Sequence, residues 1–190
     1  MIRAAVAALL LALIGTARAA SPPAVEAEHG MVVSSERRAS EVGVQIFKAG
    51  GNAIDAAVAV GYALAVLDPC CGNIGGGGFM TIHLADGRDT FINFRETAPA
   101  ASTAAMFLDP DGKPIDDLSR WGWRAAGVPG TVMGLERAAR EYGRLARPTL
   151  LAPAIALARD GFVLGPADTK ILDGKADRLA RDPVAAQVFL

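Results

Sequence analysis

Arg95 and Glu96 form a charged pair at a position in the sequence where a binding site could be built. They follow a short apolar run that ends at Phe94, and Thr97-Ala98-Pro99 then opens a loop. Side chains at strand ends often contribute to sites, and a guanidinium can hold a carboxylate through two parallel hydrogen bonds, which lysine cannot do. The alternative is a plain surface ion pair, which is common and contributes little to stability. The residues alone favour the ion pair and leave substrate binding open.

The histidines and cysteines indicate no metal site. His83 lies in an apolar, strand-like run without a neighbouring carboxylate or cysteine, so we interpret it as a structural residue. The only cysteines, Cys70 and Cys71, are adjacent, and a metal site or redox pair would need ligands that the sequence does not place nearby. We interpret them as two small residues at a tight turn.

A glycine run at residues 75–78 follows Gly72-Asn73-Ile74. Each glycine costs about 0.5–1 kcal/mol relative to alanine through backbone entropy, so the run indicates unusual dihedral angles or close approach by another backbone or a ligand. Nucleotide-binding loops are excluded, because no Gly-Lys-Ser/Thr ending is present and a strand, not a helix, is expected to follow. A site and simple tight packing remain equally open explanations.

The surrounding pattern predicts the elements that would hold these residues. Ser40 is expected to cap an amphipathic helix that Gly50-Gly51 ends, and Asn52 opens a second helix with Asp55 in its first turn. That second helix is apolar on every side over residues 56–67 and must be buried. An Asp-Gly turn between residues 79–84 and 90–94 predicts a hairpin. Further predictions are a strand-type run at residues 30–34, helices at residues 132–142 and 150–159, and a helical tail at residues 170–190.

Composition places the chain among globular proteins of one domain. It has 190 residues, of which 52% are apolar and 21% charged, and its 19 basic and 20 acidic residues nearly cancel. No run of one sign predicts a nucleic-acid partner or a polybasic membrane anchor. Small molecules are therefore the expected partners.

Residues 1–19 have the pattern of a signal peptide. Arg3 precedes an apolar stretch at residues 4–14, and Ala17-Arg18-Ala19 fits a small-x-small cleavage site. The stretch is too short for a permanent membrane anchor. We expect residues 20–190 to be periplasmic or secreted.

Four segments of the chain, taken in order, resemble the γ-glutamyltransferase family, also called glutathione hydrolases. They are residues 50–59, 72–80, 94–99 and 127–131, the last reading Gly-Val-Pro-Gly-Thr, and the resemblance runs from about residue 30 to residue 190. It implies an α/β layered fold, part of the αββα sandwich of the N-terminal nucleophile hydrolases. Residues 20–190 would then be the N-terminal part of the large-subunit domain.

The resemblance also implies a chemistry. A precursor cleaves itself, and the threonine at the new amino terminus attacks γ-glutamyl compounds such as glutathione without a metal or organic cofactor. The arginine of the Phe-Arg-Glu motif, here Arg95, binds the substrate α-carboxylate. The nucleophile belongs to a Thr-Thr-His context, which neither His29 nor His83 provides. We therefore assign no catalytic residue and expect the chain to be inactive without the missing C-terminal half and small subunit.

Other functions remain compatible with the same residues. The chain could be a noncatalytic secreted module that keeps Arg95 to bind carboxylates, or the product of a degenerate gene. A related acylase activity on β-lactam side chains is also open, although Arg95 favours a donor that resembles an amino acid.

Overall fold

A computed structural model describes residues 24–68 and 71–190, so the expected signal peptide at residues 1–19 and Cys70 lie outside the described residues. The chain divides after Gly30 into two units. The described part of the first unit, residues 24–30, is exposed and contains neither helix nor strand. All helices and strands reported below belong to the second unit. Within the described ranges, no helix is both long and apolar enough to cross a membrane.

Helix α1 spans Arg37–Lys48, and helix α2 spans Ala53–Leu67. The prediction that Ser40 caps α1 is wrong. Glu36 is the cap, because its carboxylate accepts hydrogen bonds from the backbone N–H groups of Arg38 and Ala39. The predicted stop after α1 is confirmed, since Gly50 has a φ of 90°, which glycine adopts without a side-chain clash.

Helix α2 is the centre of the hydrophobic core, as its apolar sequence predicts. Asn52 caps its start, and the Asn52 side chain accepts hydrogen bonds from the backbone N–H groups of Ile54 and Asp55. Nine of its residues are buried. Their neighbours lie on α1 and on two later helices, which are α3 at Thr131–Tyr142 and α4 at Arg147–Asp160.

Three short helices follow α4, which ends at Gly161 with a φ of 75°. They are α5 at Pro166–Asp173, α6 at Ala176–Leu179 and α7 at Pro183–Phe189. None of the three contains a buried residue. The predicted helical tail is thus confirmed as separate short helices with exposed surfaces.

The predicted hairpin is confirmed with small shifts at its ends. Strand β1 is Phe79–His83 and strand β2 is Asp89–Asn93, paired antiparallel with Phe79 opposite Asn93. Ile82 and Ile92 are buried against the helices, while alternate residues on the other face are exposed, as the two-residue period of a strand requires.

The strand predicted at residues 30–34 is wrong, because residues 31–34 form no strand. A strand needs a hydrogen-bonded neighbour, and the two-stranded sheet of the described chain consists of β1 and β2 alone. Val32 instead packs against the hydrophobic core. Burial therefore accounts for Val32 alone, because Met31 and Val33 are exposed.

Candidate functional site

The end of the hairpin places Arg95 at the surface. Beyond β1 and β2 the ladder continues for one more pair, in which Phe94 N donates to Gly78 O at 3.0 Å and Gly78 N donates to Phe94 O at 3.3 Å. The Phe94 side chain is buried. The next backbone N–H, from Arg95, turns to the Asn93 side chain at 3.0 Å. The chain therefore leaves the sheet at Arg95.

The glycine run packs directly against the backbone that carries Arg95. A Cβ on Gly77 would lie 2.5 Å from Phe94 O and 2.6 Å from Glu96 N, closer than real Cβ contacts. A Cβ on Gly78 would lie 3.0 Å from the Phe94 ring. Among the described glycines, those with positive φ do not include residues 75–78. Close approach of another backbone therefore explains Gly77, whereas a Cβ on Gly76 would meet the Asn73 side chain and one on Gly75 would have no contact closer than 3.9 Å.

The Gly-Val-Pro-Gly-Thr segment holds the same backbone from another side. Thr97 and Val128 exchange two backbone hydrogen bonds, at 3.2 and 2.9 Å. Gly76 O accepts from both Gly130 N at 2.8 Å and Thr131 N at 3.1 Å. A side chain on Gly130 would collide with the carbonyl oxygen of residue 94. Three of the four segments that carry the family resemblance therefore contact one another directly.

The Arg95 side chain extends from this fixed backbone and is 60% exposed. Its Nε lies 3.2 Å from Glu96 Oε2, and its guanidinium carbon lies 5.9 Å from the centroid of the Phe79 ring. Glu96 Oε2 is buried and makes no hydrogen bond within the described structure, so its attraction to Arg95 is electrostatic. The ion pair expected as an alternative is present, yet the side chain stays largely exposed and Glu96 is paired with its Nε.

His83 and Cys71 do not contribute to this site, and Cys70 lies outside the described residues. His83 is at the turn end of the hairpin, where its Nδ1 is 2.7 Å from Asp89 Oδ1. The expectation that His83 has no neighbouring carboxylate was wrong, because the hairpin register puts Asp89 directly opposite. Cys71 lies in a turn, as expected. Over residues 24–68 and 71–190, no cluster of side chains could hold a metal ion.

A polar network that the sequence did not predict joins three helices. Tyr62 of α2 donates to Glu136 Oε1 of α3 at 2.7 Å, and Arg147 Nε of α4 lies 2.8 Å from the same oxygen. Burial, together with this bond to Glu136, raises the pKa of Tyr62 to about 12. Burial would raise the pKa of Glu136, but hydrogen bonds from Tyr62 and Arg147 outweigh it and hold that pKa below its usual range. The network ties the three helices together.

The chain is similar in sequence to a known protein family. A family model described as Gamma-glutamyltranspeptidase matches residues 39–190. The glutathione hydrolase proenzyme of Pseudomonas sp. (strain A14) is 56% identical over 170 residues, which cover 90% of this chain and 30% of that protein. The corresponding proenzyme of Escherichia coli (strain K12) is 48% identical over 179 residues, covering 87% and 31%.

The crystal structure of Helicobacter pylori gamma-glutamyltranspeptidase superposes with a TM-score of 0.83 at 44% identity, over 86% of this chain and 47% of that chain. This match confirms the predicted fold class, an α/β layered fold of which this chain supplies a part. The chain spans less than a third of the length of these two curated relatives. Because the family model covers most of the sequence, the chain belongs to the gamma-glutamyltranspeptidase family.

Proposed function

We propose that this chain is the N-terminal part of the large subunit of an enzyme that cleaves γ-glutamyl amide bonds, as in glutathione. The enzyme transfers the γ-glutamyl group to water or to an amino acid or peptide. The identity to relatives named glutathione hydrolase supports the reaction class. The signal-like residues 1–19 support a periplasmic or secreted location.

Within that enzyme, Arg95 binds the α-carboxylate of the γ-glutamyl donor. This role is supported by one observation: the backbone of Arg95 is fixed, whereas its side chain is exposed. The backbone at residues 94–97 is fixed by close glycine contacts and by hydrogen bonds with Val128, whereas the Arg95 side chain is 60% exposed. A cation on a rigid element can hold the donor within the narrow range of positions that reaction requires.

The chain contributes binding and orientation, and the bond changes belong to the remainder of the enzyme. A threonine hydroxyl there attacks the γ-carbonyl, the amide nitrogen leaves with a proton as the amine, and an acyl-enzyme ester remains. Water or an acceptor amine then attacks the ester and restores the hydroxyl. Arg95 would fix the distant end of the donor through both steps.

The proposal can be tested in a chimaera that joins this chain to the region of the Pseudomonas sp. relative that follows its matching segment. Self-cleavage into two subunits reports that the chimaera has folded. We expect γ-glutamyl hydrolysis, and we expect Arg95→Ala to lower kcat/KM about 10- to 150-fold, which corresponds to the 1.5–3 kcal/mol of a charge-assisted hydrogen bond. Arg95→Lys should restore only part of the loss, because an ammonium lacks the fork geometry.

Arg88→Ala is the matched control. Arg88 is also an exposed arginine of the hairpin, paired with Asp86 at 2.8 Å, but it lies at the turn end of the hairpin. Its loss should leave kcat/KM unchanged. A self-cleaved chimaera without γ-glutamyl activity would refute the proposed reaction and favour a noncatalytic carboxylate-binding module. An active chimaera in which Arg95→Ala behaves like Arg88→Ala would refute only the role of Arg95.

A further inference from the structure

The Phe79 ring lies on the exposed face of the hairpin, at the end where the chain leaves the sheet. Phe79 is the first residue of β1, is 57% exposed, and stands opposite Asn93 in the register. Its ring stacks on that of Phe91, with centroids 5.6 Å apart and planes inclined by 21°. These two residues are diagonal neighbours on one face of the ladder, where aromatic side chains can reach each other. The pair therefore lies on the face of the hairpin opposite the buried Ile82 and Ile92.

The guanidinium of Arg95 lies over this ring. Its carbon is 5.9 Å from the Phe79 centroid, within the range in which the negative face of the ring attracts a cation. Glu96 Oε2 approaches the same guanidinium at Nε, 3.2 Å away. Two contacts therefore constrain a side chain that is otherwise open to solvent, the ring from below and the carboxylate at the Nε edge.

We propose that Phe79 is a positioning residue for Arg95, and this inference rests on the carboxylate-binding role of Arg95 proposed above. A free arginine side chain samples many rotamers and loses that freedom when it closes on a ligand. A ring that holds the guanidinium beforehand removes part of this loss, and pre-organisation of this kind increases affinity without a new contact to the ligand. The effect belongs to donor binding, so it should change KM and leave kcat nearly constant.

The test uses the same chimaera with Phe79→Leu, which keeps an apolar side chain and removes the ring face. We expect the donor KM to rise about two- to fivefold, the range for a partly exposed cation–ring contact, with little change in kcat. Phe79→Tyr keeps the ring face and should keep the KM. In an Arg95→Ala background, Phe79→Leu should have no further effect on KM, because the group that the ring positions is gone.

Phe91→Leu is the matched control, because Phe91 has the same 57% exposure and loses the same aromatic pair. A general weakening of the hairpin would raise KM equally in the two leucine variants and would overturn the inference. So would a Phe79→Leu KM equal to that of the unaltered chimaera, or an undiminished effect in the Arg95→Ala background. Loss of γ-glutamyl activity in the unaltered, self-cleaved chimaera would instead refute the proposed function itself.

Discussion

Asp55 should be among the most costly polar residues to remove, because four backbone donor contacts converge on its buried carboxylate. The residue is 0% exposed. Oδ2 accepts from Asn52 N at 2.9 Å and Arg144 N at 3.0 Å, while Oδ1 accepts from Arg144 N at 3.0 Å and Leu145 N at 3.3 Å. The carboxylate thus closes the start of α2 and fixes the loop between α3 and α4.

The expected cost of Asp55→Ala follows from the bonds that it breaks. Loss of the capping interaction at α2 accounts for about 1 kcal/mol of the free energy of unfolding. The N–H groups of Arg144 and Leu145 then lose their acceptor, at about 1 kcal/mol each for donors that water reaches in part. We expect a total of about 3 kcal/mol, and a smaller loss for Asp55→Asn, which keeps one acceptor oxygen.

Urea unfolding of the chain, followed by helical circular dichroism, measures this difference. Asp168→Ala is the matched control, because Asp168 also closes the first turn of a helix, where Gly165 N donates to its Oδ2 at 3.0 Å. The control loses one such bond near the surface and should cost about 1 kcal/mol or less. Equal losses in Asp55→Ala and Asp168→Ala would show that the contacts to the α3–α4 loop contribute nothing to stability.

Two further predictions concern the packing behind the site and the buried tyrosine. Gly134→Ala should lower the melting temperature and raise the donor KM of the chimaera, because a Cβ there would collide with the Phe94 ring beside the candidate site. Gly50→Ala is the control, because Gly50 has a φ of 90° and open space around it. This change should lower the free energy of unfolding by about 1–2 kcal/mol and leave KM unchanged. Burial and a hydrogen bond raise the pKa of Tyr62 to about 12 in the folded chain, compared with about 10 in an unfolded chain. The unfolded chain therefore loses this proton first as the pH rises. The contribution of Tyr62 to stability is complete below about pH 10 and falls toward about pH 12. Urea unfolding at several pH values should show a smaller fall in Tyr62→Phe than in Tyr142→Phe, and equal falls in the two variants would contradict this assignment.

Local sequence was sufficient wherever local chemistry sets the structure. The Asp-Gly turn predicted the hairpin, and Asn52 with Asp55 predicted the start of α2. Prediction from local sequence failed where a hydrogen-bond partner lies far away in the sequence or is an unusual residue type. The acceptors for Arg144 N lie 89 residues away in the sequence, so no spacing rule indicates that Asp55 holds a loop. Glu36 was missed as a cap because glutamate is not among the residues usually preferred there.

In the candidate site as well, local features could be predicted from the sequence and tertiary contacts could not. The end of the hairpin predicted where Arg95 leaves the sheet. The glycine run predicted either unusual dihedral angles or close approach by another backbone or a ligand, and Gly77 approaches the backbone of residues 94–96. The identity of the approaching segment could not be predicted, because residues 75–78 and 127–131 meet through tertiary contacts. The position of Phe79 beneath the guanidinium depends on side-chain directions that strand period and register do not fix.

The binding free energy of a single guanidinium–carboxylate contact helps to decide whether Arg95 serves an enzyme or an independent binding module. A charge-assisted contact of about 1.5–3 kcal/mol corresponds to a Kd of roughly 10–100 mM for a carboxylate. A module that relied on Arg95 would be nearly empty at micromolar ligand, so useful affinity requires further contacts to the same ligand. The described chain offers a cation held by a rigid backbone and a ring, which is suited to orienting a donor that other groups also bind. The curated relatives are about three times as long as the segment that this chain matches, and they have room for those groups. We therefore expect Arg95 to be one contact of a larger γ-glutamyl site.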